Sequence, residues 1–246
     1  MEIFARSHTT QRSIRVIAIA AIIAAMAARP AILRGQAIPI EQAPSQAANA
    51  GAAYSLKSGS YYLSRNIKIS GGQKNGINVT GPNVSINFEG YSIIGQNSAG
   101  GIGINAPGQT GLTIQNGNIQ GMGGGGVTVG AGSTVSSMHI TGNGPGIVGG
   151  ASCVIENNSV TANSGDGINA AGLIRGNVSD GNVGNGITAG ANSSIIGNEA
   201  SGNSGAGIAM QPSDGFSNNV INSAGTTVSG GVDAGSNVCN GSTSCP

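Results

Sequence analysis

Along most of this chain the apolar positions recur at a long fixed distance, not at the spacing of a helix or a hairpin. The apolar residues closing successive glycine-rich corners are Ile77, Ile104, Val127, Ile147, Ile168, Ile187, Ile208 and Val228, in steps of 27, 23, 20, 21, 19, 21 and 20 residues. A second series runs out of phase with the first. The segments "IENN", "IRGN", "IIGN" and "FSNN" align Ile155, Ile174, Ile195 and Phe216, and three residues further on Asn158, Asn177, Asn198 and Asn219. A third series, Asn163, Asn182, Asn203 and Asn222, stands before the next glycine corner. A period near 20 residues is the mark of a solenoid, and each period here holds three strand-sized pieces separated by Asn/Gly corners.

Such short strands with such uniform corners predict a coil with three strands per turn. Each turn then pairs in parallel with the next at about 4.8 Å. Like stacks on like: an inner Ile/Val column, and Asn columns whose amides bond along the stack as Asn ladders do in cross-β. Asn and Gly tolerate a left-handed backbone, so they are expected to supply the sharp corners. Parallel crossovers are overwhelmingly right-handed. The predicted fold is therefore all-β, a right-handed parallel β-helix over residues 55–238 with about eight coils, one for each residue of the first series.

The same pattern resembles the right-handed parallel β-helix repeats of the pectate-lyase-like superfamily. "GSYYLSRNI" (59–67), "NVSINFEGYSIIG" (83–95) and "LTIQNGNIQG" (112–121) are similar to the first coils of secreted bacterial members. The resemblance implies the fold and points to polysaccharide as a partner. It does not choose an activity, because the superfamily holds lyases, hydrolases, epimerases and uncharacterised proteins.

Other glycine-rich chemistries fit poorly. "GMGGGG" (121–126) matches G-x-G-x-x-G, but no helical period follows it, as a dinucleotide loop requires. In a calcium β-roll the corner Asp would repeat, whereas Asp166 is replaced by Asn185 and Ala206 in the sister corners. Calcium takes six or more oxygens, several of them charged. No metal and no cofactor is expected.

Residues 1–37 are a different text. Arg6, Arg12 and Arg15 precede the apolar run 16–28, and small residues follow. That is the build of a secretory signal peptide, and the run is shorter than a spanning helix needs. The expectation is an exported, secreted, periplasmic or surface protein with no stable membrane span after cleavage. Residues 38–54 are expected to be a linker with a short capping helix, and 239–246 a terminal cap loop. Cys239 and Cys245 suit a small disulfide loop in an oxidising compartment, and Cys153, two residues before Ile155, is expected to point inward as a free buried thiol.

Charge narrows the partner and the chemistry. Beyond residue 37 the cations are Lys57, Arg65, Lys68, Lys74 and Arg175, against eight carboxylates. A nucleic-acid binder needs a clustered basic surface, and none is present. Removing a proton beside a uronate carboxylate needs cations preorganised around the developing charge, yet Arg175 is the only one past Lys74. Glycoside hydrolysis uses two carboxyls at a set separation, and no such pair appears at the coil period. The remaining candidates for catalysis are Glu156 and Arg175, each following an inward Ile on adjacent coils, with Asp166 and Asp180 in nearby corners. An exposed ion pair is the simpler reading of the first two. The sequence thus favours a scaffold contacting polysaccharide over an enzyme of the superfamily or a purely structural matrix protein. It does not determine an oligomeric state.

Overall fold

The structure is a computed structural model describing residues 37–42, 51–70, 74–98 and 100–245. The expected signal peptide lies outside the described residues but for Ala37, as does most of the expected capping helix. The rest forms a parallel β-solenoid. Among the described residues nine strands, from Ala52–Leu56 to Val228–Ser229, make one continuous face, and so nine coils. The first coil opens before residue 55, because Tyr54 pairs in register with Ile77. Ahead of it, Ile38–Pro39 pairs with Tyr61–Tyr62, and fully buried Ile40 plugs the end of the core within a short 3-10 turn.

Each later coil adds three strands. In one coil these are Ile147–Gly149 on the first face, Cys153–Glu156 on the second and Ser159–Thr161 on the third. The first series of the sequence is the inner column of the first face: Ile147, Ile168, Ile187 and Ile208 pair one above another and are fully buried. Ile155, Ile174, Ile195 and Phe216 form the inner column of the second face in the same way. Burying these side chains contributes about 1.5–3 kcal/mol apiece.

Between the second and third faces stand Asn158, Asn177, Asn198 and Asn219, all buried and extended by Asn237. The Oδ1 of Asn177 accepts from both the backbone N–H and the Nδ2 of Asn158, each at 3.0 Å, while Asn158 Nδ2 also donates to Val135 O at 2.9 Å. The pattern repeats down the column. Each amide in mid-column thus makes two donor and two acceptor contacts, which removes the cost of burying it. A matching column, Asn143, Asn163, Asn182 and Asn203, fills the corner between the third and first faces.

Two details depart from the expectation. Asn222 does not continue that second column: it pairs with Ser201 on the third face and is exposed, and buried Ser223 stands next to it in the corner. The stretch from inner Ile221 to Val228 is one residue shorter than that from Ala200 to Ile208 one coil earlier, and Ser223 rather than Asn222 takes the corner. Nor do the column Asn residues adopt the left-handed backbone. The residue before each of them does: Asn157 (φ 56°), Ala162 (φ 53°), Gly176 (φ 62°) and Gly181 (φ 63°).

The glycines of the N-x-G-x-G-I corners answer a different need, close approach of successive coils. A Cβ on Gly167 would lie 2.7 Å from Gly186 O, and one on Gly186 would lie 2.6 Å from both Gly207 O and Asn203 Nδ2.

Candidate functional site

Glu156 and Arg175 end paired strands of the second face and are opposite each other in register. Arg175 donates from Nε to Glu156 Oε2 at 2.8 Å, and its terminal nitrogen reaches the same oxygen at 2.6 Å. The guanidinium is about half exposed and the carboxylate mostly covered, with side-chain accessibilities of 55% and 21%. The only cation on the later coils is therefore already engaged by a carboxylate, at an exposure where such pairs contribute about 0–1 kcal/mol.

Asp166 is held within its corner. Its Oδ1 accepts from the backbone N–H of Asn185 at 2.8 Å and its Oδ2 from Thr188 Oγ1 at 2.8 Å. Asn185 repeats the first of these bonds one coil on, accepting from Ala206 N at 2.8 Å. The carboxylate thus serves as a corner brace, which Asn performs equally well in the next copy. Asp180 lies on the third face, exposed, paired in register between Thr161 and Ser201. The four candidates are therefore split between two faces and a corner, and only Glu156 and Arg175 touch.

Cys153 is buried and free, its Sγ 3.4 Å from Gly130 O. Burial pushes its thiol pKa up, and contacts with the backbone of Ser133, Gly150 and Gly132 offset part of that. Such a thiol carries little thiolate at neutral pH, the reverse of what a nucleophile needs. Cys239 and Cys245 are joined in a disulfide with Cα atoms 5.3 Å apart. Among the described residues, no three His, Cys, Asp or Glu side chains converge as a metal site would require, and no helix is long and apolar enough to cross a membrane.

The feature that sequence reasoning passed over lies on the third face. Gln120, Thr141, Thr161, Asp180, Ser201 and Asn222 occupy one outward register position on six successive coils. Every one is a hydrogen-bonding residue, and Thr161 Oγ1 bonds to Thr141 Oγ1 at 3.2 Å. Beside it run Asn118, exposed His139 and Ser159. The column escapes inspection because its letters, Thr141 and Thr161 apart, differ from coil to coil. Only their common polarity and place in the period connect them.

The chain matches the family described as "Right handed beta helix region" over residues 52–221. It belongs to that family. Two solved structures share the fold. They are the A-modules of the mannuronan C-5 epimerases AlgE6 and AlgE4 of Azotobacter vinelandii, at 18% and 17% identity and TM-scores of 0.56 and 0.54. The matches cover 76% and 77% of this chain, and 67% and 61% of the respective modules. The comparison with curated proteins gave no match.

Proposed function

We propose that the protein is an exported β-helix scaffold that contacts extracellular or envelope polysaccharide along its third face without efficient catalysis. The observation that carries this reading is the six-coil polar column from Gln120 to Asn222. Coils spaced by about 4.8 Å offer one hydrogen-bonding group per sugar-sized step. A rigid strand array holds these groups with little entropy left to lose on binding. The engaged Arg175 and the braced Asp166 support the reading without efficient catalysis. Neither a free cation for a uronate carboxylate nor a facing pair of carboxyls is assembled on the later coils.

A second reading, a polysaccharide-active enzyme using Glu156 and Arg175, draws support from the epimerase names of the two structural neighbours. One experiment separates the two. The exported chain is tested for retention by, and product formation from, a panel of neutral and acidic polysaccharides. The scaffold reading expects retention that drops at least tenfold in a Thr161→Val/Ser201→Ala variant, with no unsaturated or epimerised product from pectate or alginate, with or without calcium. Turnover that disappears in Arg175→Ala would establish the enzyme reading instead.

A further inference from the structure

Three successive strands of the third face hold a single ionisable side chain between them. Thr113–Met122 and Ser159–Thr161 contain no titratable residue, and Thr134–Thr141, paired between them, contains only His139. His139 is exposed, at an outward position in register between Asn118 and Ser159. Among the described residues it is the only histidine, and it takes part in no ion pair.

The charges around it are engaged or distant. Glu156, on the coil ahead, faces outward on the second face and is held by Arg175 at 2.6 Å. Glu89 and Tyr91 lie in the corner two coils behind, where Glu89 Oε1 accepts from Asn87 Nδ2 at 2.6 Å. On the third face itself, Lys68 stands three coils behind and Asp180 two coils ahead, both exposed. At about 4.8 Å per coil these two are about 14 and 10 Å away along the axis, beyond the Debye length of about 8 Å in physiological salt. His139 is thus one switchable charge in a neutral strip. Histidine changes charge between about pH 5 and 8, and an imidazolium donates from both ring nitrogens.

Its neighbours are prepared to share an acceptor. Thr141, two residues along the strand, points to the same side. Its Oγ1 accepts from Thr161 Oγ1 at 3.2 Å, which leaves its own hydroxyl proton for an outside acceptor. Asn118 is tied to the coil behind, its Nδ2 donating to Gly90 O at 3.2 Å and to Ser92 Oγ at 3.3 Å.

We propose that His139 and Thr141 form a pH-gated subsite that takes an anionic substituent, a carboxylate or a sulfate ester, of a bound glycan. The inference rests on the third-face reading above and adds to it the charge class of the ligand and its control by protons. At acidic pH both side chains donate to the anion, and the imidazolium also meets its charge. At alkaline pH the charge is gone and only neutral hydrogen bonds remain. Asp180 and Glu199, exposed further along the same face, disfavour anions there, so the anionic part of the glycan lies over the coils around His139.

Retention of the full chain on immobilised pectate, dextran sulfate and uncharged dextran, between pH 8 and pH 5.5, tests the proposal. Carboxyl groups titrate near pH 4, so the polymers keep their charge across this range. An exposed charge contact changes affinity by about two- to fivefold. Retention on an anionic polymer is expected to rise by that factor as the pH falls, and added salt should suppress the rise. A rise on pectate alone assigns the carboxylate, one on dextran sulfate alone the sulfate, and one on both charge only. Dextran should show no rise. His139→Gln should hold retention at its alkaline level throughout, and His139→Arg at its acidic level, both with unchanged melts because the side chain is exposed. A flat profile, an equal rise on dextran, or a rise that survives in His139→Gln would each overturn the inference. A flat profile in a chain that still needs Thr161 and Ser201 for retention sinks this inference alone. A His139-dependent rise that ignores Thr161→Val/Ser201→Ala sinks the polar-column reading alone. No retention on any polymer sinks both.

Discussion

The corner between the second and third faces is built in two ways along one solenoid. In the later coils it is a column of amides, Asn158 to Asn237. In the earlier coils the equivalent space holds apolar side chains: Met138 pairs with Gly117, and a Cβ on Gly117 would strike the Phe88 ring. Phe88 and Met138 are buried as completely as the amides. The two systems meet where Met138 N donates to Asn158 Oδ1 at 3.0 Å. Apolar filling asks only for volume, so coil lengths may vary, and the early steps of 27 and 23 residues do. An amide column asks for the same residue at the same height in every coil, because each Oδ1 serves the coil behind it. The tight 19–21-residue steps of the later half are the consequence.

The largest effect is expected where both halves agree. Ile187 lies fully buried between Ile168 and Ile208, so Ile187→Asp buries an uncompensated charge. The cost should exceed about 4 kcal/mol and abolish the cooperative melt at ambient temperature. A melting point within a degree or two of wild type would show the column misaligned.

Two substitutions to leucine probe the difference between the halves directly. Asn177→Leu orphans the backbone N–H of Asn158 and takes one of two bonds from both Asn158 Nδ2 and Asn198 Oδ1; it should cost about 3 kcal/mol, since an orphaned buried donor alone costs about 1–3. Met138→Leu should cost less than about 1.5 kcal/mol. Equal values from urea melts would erase the distinction between the two corners.

Gly186→Ala tests close approach. Its Cβ would meet backbone oxygen and a column amide, and overpacking of this kind costs about 1–3 kcal/mol. A neutral result would mean that the coils can separate locally.

For Cys153 the folded pKa lies above the ordinary thiol value of 9.0. The folded state therefore holds its proton more tightly than the unfolded one. The stabilisation is fully present below the unfolded pKa and is lost as pH rises through the folded value. Cys153→Ala should flatten that alkaline loss, as read by melts above pH 9, and native wild type should resist alkylation at neutral pH. The smallest effect is a gain: Ala162 sits at φ 53°, and Ala162→Gly should stabilise by about 0.5 kcal/mol, the relief of left-handed strain less the entropy of glycine.

Much of this fold was legible because a solenoid writes its contacts into the period. A residue that must sit on its own kind, such as Ile168 or Asn177, recurs at each coil, and one line of text then reveals both column and pairing. The facing of Glu156 and Arg175 follows in the same way, since each comes directly after an inward isoleucine. Where the selecting force is not identity, the text is silent. The six residues of the polar column share only a capacity to hydrogen-bond, and Thr at 141 and 161 is the one letter they repeat.

What the sequence by itself determined, then, is the period, the inner columns and the amide columns, because stacking like on like is a condition on residue identity. The tertiary structure alone decided the rest. It placed the left-handed strain on the residue before each Asn, since only there does the chain reverse before the amide turns inward. It moved the last corner from Asn222 to Ser223, because a register is set by what the neighbouring coil pairs with and not by the letter. It also gave Asp166 to a brace and Asp180 to an open face, because a carboxylate's role depends on which donors the next coil brings within reach.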